Sequence, residues 1–98
     1  MEASLIKSLG DELYGALQNR SSVKPLTERY PAITVADSYQ ISKVITDSRV
    51  AAGERIIGKK IGLTSKAVQN MLGVGEPDFG FLTDGMAYSQ GQEMPISK

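Results

Sequence analysis

Residues 58–81 read Gly-Lys-Lys-Ile-Gly-Leu-Thr-Ser-Lys-Ala-Val-Gln-Asn-Met-Leu-Gly-Val-Gly-Glu-Pro-Asp-Phe-Gly-Phe, five glycines in one stretch. No other part of the chain restricts its fold as strongly. Glycine at this density rules out a long helix or an uninterrupted strand and marks tight turns or close backbone approach. Ile56, Ile57, Ile61 and Leu63 predict a strand over 55–63, with Gly58 and Gly62 at a bulge or close approach. Ser65 is a good N-cap for a short helix over 66–72, which Gly73 would end. Pro77 and its neighbouring glycines predict a loop over 74–80. Phe81-Leu82 and Met86–Tyr88 are strand candidates around an Asp84-Gly85 turn, and a further strand would start at Met94 and run to Ser97.

The first half of the chain follows a different period. Leu5, Ile6, Leu9, Leu13, Ala16 and Leu17 recur at three- and four-residue steps, which predicts an amphipathic helix over 3–19. Gly10 and Gly15 would each weaken it by up to ~1 kcal/mol relative to alanine, so their presence predicts a neighbouring element packed close. Pro25 and Pro31 break 21–32 into a connector, with 23–26 extended. Thr34 begins a second helix over 35–52, and Asp37 completes a capping box in which Asp stands for the usual Glu. Ile41, Val44, Ile45 and Ala52 form its apolar stripe, Tyr39 and Gln40 lie at the stripe's edge, and Gly53 closes it. The expected fold class is α+β, a helical N-terminal region followed by short strands.

Composition removes several classes of function. Eleven basic residues balance eleven acidic ones, so no basic excess points to nucleic acid or an anionic membrane. There is no cysteine and no histidine, which excludes disulfides, thiolate metal sites and the usual general base. Any metal would need carboxylates. No apolar run approaches the ~20 residues of a membrane span, and the N-terminus lacks a signal-peptide pattern, so a cytoplasmic protein is expected.

Gly53-Glu-Arg-Ile-Ile-Gly-Lys-Lys nearly fits a phosphate-binding loop. It fails because Lys60 replaces the magnesium-binding hydroxyl residue and Ile56-Ile57 read as strand where the cradle must be loop. Gly73-Val74-Gly75 follows a helix instead of a strand and runs into Pro77, so it is not a dinucleotide fingerprint. Lys59 and Lys60 alternate across a strand, so they face opposite ways. From pattern alone they are either two solvated lysines or one solvated and one in a site. Asp78 is either a turn aspartate bonded to nearby amides or a carboxylate held by Pro77 and facing that lysine.

The segment Gly58-Lys-Lys-Ile-Gly-Leu-Thr-Ser-Lys-Ala-Val-Gln-Asn-Met-Leu-Gly-Val, with Glu76-Pro-Asp-Phe-Gly80 and Leu82–Met86, resembles the 2-hydroxypenta-2,4-dienoate (2-keto-4-pentenoate) hydratases. These are relatives of the oxalocrotonate decarboxylases and of the fumarylacetoacetate hydrolases. The resemblance extends over essentially the whole chain, including Leu13-Tyr14 and Ala51-Ala-Gly-Glu-Arg55, and the Asp within 76–80 favours the hydratases over the decarboxylases. It implies a lyase of bacterial meta-cleavage pathways for aromatic compounds, hydrating the dienol to 4-hydroxy-2-oxopentanoate, with a fumarylacetoacetate-hydrolase-like fold. It implies Lys60 and Asp78 as catalytic residues, with Leu72 and Phe79 on the substrate pocket. The family's divalent metal, Mg²⁺ or Mn²⁺, is held by a Glu-x-Glu motif and a later glutamate beyond the region matched, so no metal ligand is transferred. Residues 1–98 are therefore expected to be an N-terminal domain or fragment, with the site on a strand and loop over 55–82 and the C-terminal metal-binding domain absent. Such a fragment would be inactive alone and hold no metal. The partners implied are a small 2-oxo or 2-hydroxy acid, further copies in a homo-oligomer, and a partner decarboxylase. The alternatives are a non-catalytic assembly module, a truncated product, or part of the related 2-oxo-3-hexenedioate decarboxylase.

Overall fold

The structure, a computed structural model, describes residues 1–96. Helix α1 spans Ala3–Asn19, a single turn α2 Leu26–Arg29, and α3 Val35–Ala51. Strand β1 (Ile56–Gly62), helix α4 (Lys66–Leu72), strand β2 (Asp78–Thr83) and a 3-10 turn (Asp84–Met86) follow. The helical periods and caps read from the sequence thus form the elements they predict. Thr34 Oγ1 accepts from the Asp37 amide at 3.1 Å while Asp37 Oδ2 accepts from the Thr34 amide at 3.0 Å, a complete capping box. Gly53 turns the chain out of α3 at φ 105°, an angle that glycine adopts without a Cβ clash.

The core lies between α1 and α3. Ile6, Leu9 and Ile41 are buried, and Leu5, Leu13, Leu26, Tyr30, Ile33 and Val44 pack around them. Gly10 is the contact point: a Cβ there would run into the Val44 side chain, so its absence lets the helices approach. Gly15 has no such neighbour within 4 Å, so the expected close packing holds at one glycine and not the other. The connector is more than extended chain, because its turn α2 brings Leu26 and Tyr30 onto the core.

Strands β1 and β2 pair antiparallel, with Gly58 opposite Leu82, Lys59 opposite Phe81, Lys60 opposite Gly80, Ile61 opposite Phe79 and Gly62 opposite Asp78. Ile57 is the extra residue of a bulge between Ile56 and Gly58. Two expectations are corrected here. Strand β2 begins at Asp78, so the predicted loop ends at Pro77; pairing with Gly62, a non-local contact, draws 78–80 into the ladder. The strands expected at Met86–Tyr88 and from Met94 do not form among the described residues, and Ser97 lies outside them. The Asp84 amide donates to the Arg55 carbonyl at 2.9 Å, the Asp84 carboxylate accepts from the Arg55 amide at 3.0 Å, and Ala87 N–H bonds back to Asp84 O at 3.1 Å. These bonds end the ladder and turn the chain away from it.

Glu54 joins the two halves. It accepts from Arg49 Nη1 of α3 at 3.1 Å and from Thr83 Oγ1 of β2 at 2.6 Å, and it lies where a side chain at Gly85 would stand.

Candidate active site

The register decides which side chains share a face. Residues directly opposite lie on the same side of a sheet, and alternation repeats every second residue. Lys60, Gly62, Asp78 and Gly80 therefore share one face, while Lys59, Ile61, Phe79 and Phe81 share the other. The stem of Lys60 lies across Gly80: a Cβ at Gly80 would sit 3.6 Å from Lys60 Cε. Lys60 and Asp78 line one cleft of about 410 Å³, closed on the other side by Val35, Ser38, Tyr39 and Ser42 of α3. A second hollow of about 620 Å³, walled by Leu63 and the 73–77 loop, adjoins it through Val35, Tyr39 and Asp78. Both Lys60 and Asp78 are exposed in this chain.

Lys59 lies elsewhere. Its ammonium sits 4.9 Å from the Phe79 ring centroid and 5.4 Å from that of Phe81, on the aromatic face of the hairpin. Phe79 borders the cleft, whereas Leu72, 56% exposed on α4, does not.

Two features were not visible in the sequence. Tyr39 reaches from α3 to β2: its hydroxyl donates to Asp78 Oδ1 at 3.1 Å and accepts from the Phe79 amide at 3.4 Å. Its ring stacks on Phe79 with centroids 4.3 Å apart and 12° between planes. Partial burial, with the Asp78 carboxylate adding to it, raises the Tyr39 pKa above the ordinary tyrosine value, against the opposing pull of the Phe79 amide. A tyrosine off the apolar stripe signals a second contact surface on α3, but its spacing does not name the partner. The other feature is Leu63, which leaves β1 at φ 55°, a conformation non-glycine residues rarely take. Its carbonyl accepts from the buried Gln69 side chain at 2.8 Å, which ties α4 to the end of β1 and shapes the hollow beside Asp78.

No family model matches the chain. It is 60% identical over all 98 residues to a 2-hydroxypent-2,4-dienoate hydratase of Pseudomonas putida, covering 44% of that protein. It is 51% identical over 97% of its length to a 2-hydroxyhexa-2,4-dienoate hydratase of Comamonas testosteroni, covering 36% of it. The chain is homologous to these hydratases over essentially its whole length. It spans less than half of theirs. Among solved structures, the 4-oxalocrotonate decarboxylase of Pseudomonas putida G7, complexed with calcium and acetate, superposes with a TM-score of 0.80 at 32% identity. That match covers 87% of this chain and 33% of the decarboxylase. The α+β architecture thus matches part of the fold of that decarboxylase.

The neighbour's calcium raises the question of a metal here. Among the described residues no three Asp, Glu, His or Cys side chains come together as a cation site, and Asp78 has one carboxylate oxygen engaged by Tyr39. These residues do not make a metal cage. What the cleft holds is one ammonium group, that of Lys60, and one carboxylate, that of Asp78, on one wall.

Proposed function

We propose that this chain is the N-terminal portion of a hydro-lyase that hydrates 2-hydroxypenta-2,4-dienoate to 4-hydroxy-2-oxopentanoate, and that it supplies the proton-transfer wall of the active site. The observation that carries the reading is the shared face of Lys60 and Asp78 in one cleft, in a chain 60% identical to a dienoate hydratase along its whole length. The decarboxylase likeness, at 32% identity, is the weaker of the two.

The chemistry needs what this wall offers. The dienol loses its C2 hydroxyl proton and gains one at C5, giving the α,β-unsaturated ketone. Water then adds at C4 and a proton reaches C3. Each step gives up one proton and takes up another, so one donor and one acceptor serve both once the proton taken up in the first step has passed back to the donor through solvent. Lys60 is the donor and Asp78 the acceptor, and Phe79 lends an apolar edge for the carbon chain. The family's divalent metal belongs, in this reading, to residues outside this chain. The protein is a cytoplasmic homo-oligomer acting on a small 2-hydroxy acid.

The test is turnover of the dienol by the full-length protein carrying this sequence. Asp78→Asn should lower kcat by roughly 10²–10⁴, the usual range for loss of a general acid or base. Unchanged turnover in that variant overturns the assignment.

A further inference from the structure

We propose that Tyr39 is the positioning residue of this site, holding the Asp78 carboxylate so that one of its oxygens is fixed and the other is left for the proton being transferred. The proposal rests on the reading of Asp78 just given and adds to it a residue from a different element.

The geometry is specific about the hydroxyl. A phenol has one proton to donate and lone pairs to accept with. The Phe79 amide donates to the Tyr39 oxygen at 3.4 Å, which leaves the phenol's own proton for Asp78 Oδ1 at 3.1 Å. No other hydrogen bond reaches the Asp78 side chain among the described residues, so Oδ2 is without a protein partner. The tyrosine is itself fixed. Its ring lies on Phe79 at 4.3 Å and 12°, an arrangement that sets the ring plane as well as its place. One side chain of α3 therefore grips two consecutive residues of β2, the carboxylate of the first and the amide and ring of the second.

The need for such a grip follows from where Asp78 sits. It is the first residue of β2, directly after Pro77, and it is exposed. An exposed carboxylate at a strand end turns freely about its side-chain bonds, whereas a proton acceptor must be held within about 0.5 Å of its productive position. Pro77 stiffens the backbone before Asp78 but does nothing for its side chain. Tyr39 is the side chain that does. The raised pKa of Tyr39 is in keeping with this, since its hydroxyl stays protonated and remains a donor across the neutral range.

The experiment is a double-mutant cycle on the full-length protein, reading kcat and KM for the dienol with wild type, Tyr39→Phe, Asp78→Asn and the double variant. Tyr39→Phe keeps the stacked ring and removes only the hydroxyl. It should lower kcat about tenfold with KM little changed, the scale of one hydrogen bond to a charged group. In the Asp78→Asn background the same substitution should change kcat less than about twofold, because a residue acting through Asp78 has nothing left to position. A residue that merely braces the fold would instead lower the thermal midpoint and cost the same in both backgrounds. Equal loss in the two backgrounds, or a silent Tyr39→Phe beside an impaired Asp78→Asn, overturns the role of Tyr39 and leaves the reading of Asp78 intact. A silent Asp78→Asn overturns both. If Tyr39→Phe fails to fold, a crystal structure of the wild-type full-length protein decides: the hydroxyl in hydrogen-bond contact with Asp78 supports the proposal, and a separation beyond that distance defeats it.

Discussion

Leu9 of α1 and Leu72 of α4 are the same side chain in opposite circumstances, 1% and 56% exposed. The contrast extends to the regions around them. The helical region closes its own core: Ile6, Leu9 and Ile41 are buried by neighbours from α1, α2, α3 and the residues joining α2 to α3. The hairpin region leaves Ile56, Ile57, Ile61, Met71 and Leu72 at half exposure or more. A two-stranded hairpin is marginal by itself in water. Here it is held to α3 by two polar anchors, Glu54 at one end and Tyr39 at the other. The candidate site sits at the second of these, on the region with the least packing of its own. The packed core and the candidate site thus lie in different parts of the chain, and substitutions can separate them.

The largest effect is expected in the helical region. Leu9→Ala should cost roughly 2–5 kcal/mol, the range for emptying a fully buried leucine site, and should unfold α1 and α3 together in urea. A loss confined to α1 would mean that the two helices do not share a core.

A smaller effect is expected at the junction. The Thr83 hydroxyl, and after it the Arg49 guanidinium, hold the Glu54 carboxyl below the ordinary glutamate range. A carboxylate with a depressed folded pKa stabilises fully above its unfolded value, about pH 4.3, and loses that contribution as pH falls through the folded value. Glu54→Gln should therefore cost about 1 kcal/mol at neutral pH and show a shallower fall in thermal midpoint below about pH 4. Some acid sensitivity should remain, because Arg29 lowers the pKa of Glu12 and the Thr34 amide that of Asp37 in the same direction. Identical acid curves for wild type and variant would remove Glu54 as the link between the regions.

The smallest effect is expected where exposure is greatest. Leu72→Ala should change stability by no more than about 0.5 kcal/mol in this chain, as surface substitutions usually do. A loss approaching that of Leu9→Ala would show that the two regions are not distinct in the way described.

The two regions also differed in how much could be read beforehand, and for a physical reason. Helix caps and periods are local. Thr34 with Asp37, Ser65 with Val68, and Gly53 and Gly73 each act within a few residues, and the sequence reading placed those helices within a residue of where they lie. The cost of Gly10 was legible, but Val44 as its partner was not, because that contact joins separate helices. Strand pairing is non-local throughout. The entry of Asp78 into β2 depends on Gly62, and Met86–Tyr88 has strand-like residues but no strand to pair with among those described. Alternation told Lys59 from Lys60. Only the register put Lys60 on the same face as Asp78, and only the tertiary packing brought Tyr39 to it.

That register offers the most direct test of the account. Lys59 and Lys60 are adjacent, identical and both exposed, and they differ in the face they occupy. In the full-length protein, Lys60→Ala should lower kcat for the dienol by roughly 10²–10⁴ while the fold is kept. Lys59→Ala removes only an exposed ammonium lying by Phe79 and Phe81, a contact worth about 0.5–1 kcal/mol of stability, and should leave kcat nearly unchanged. Turnover lost in Lys59→Ala and retained in Lys60→Ala would contradict the account, because the proton-transfer wall would then lie on the opposite face of the hairpin.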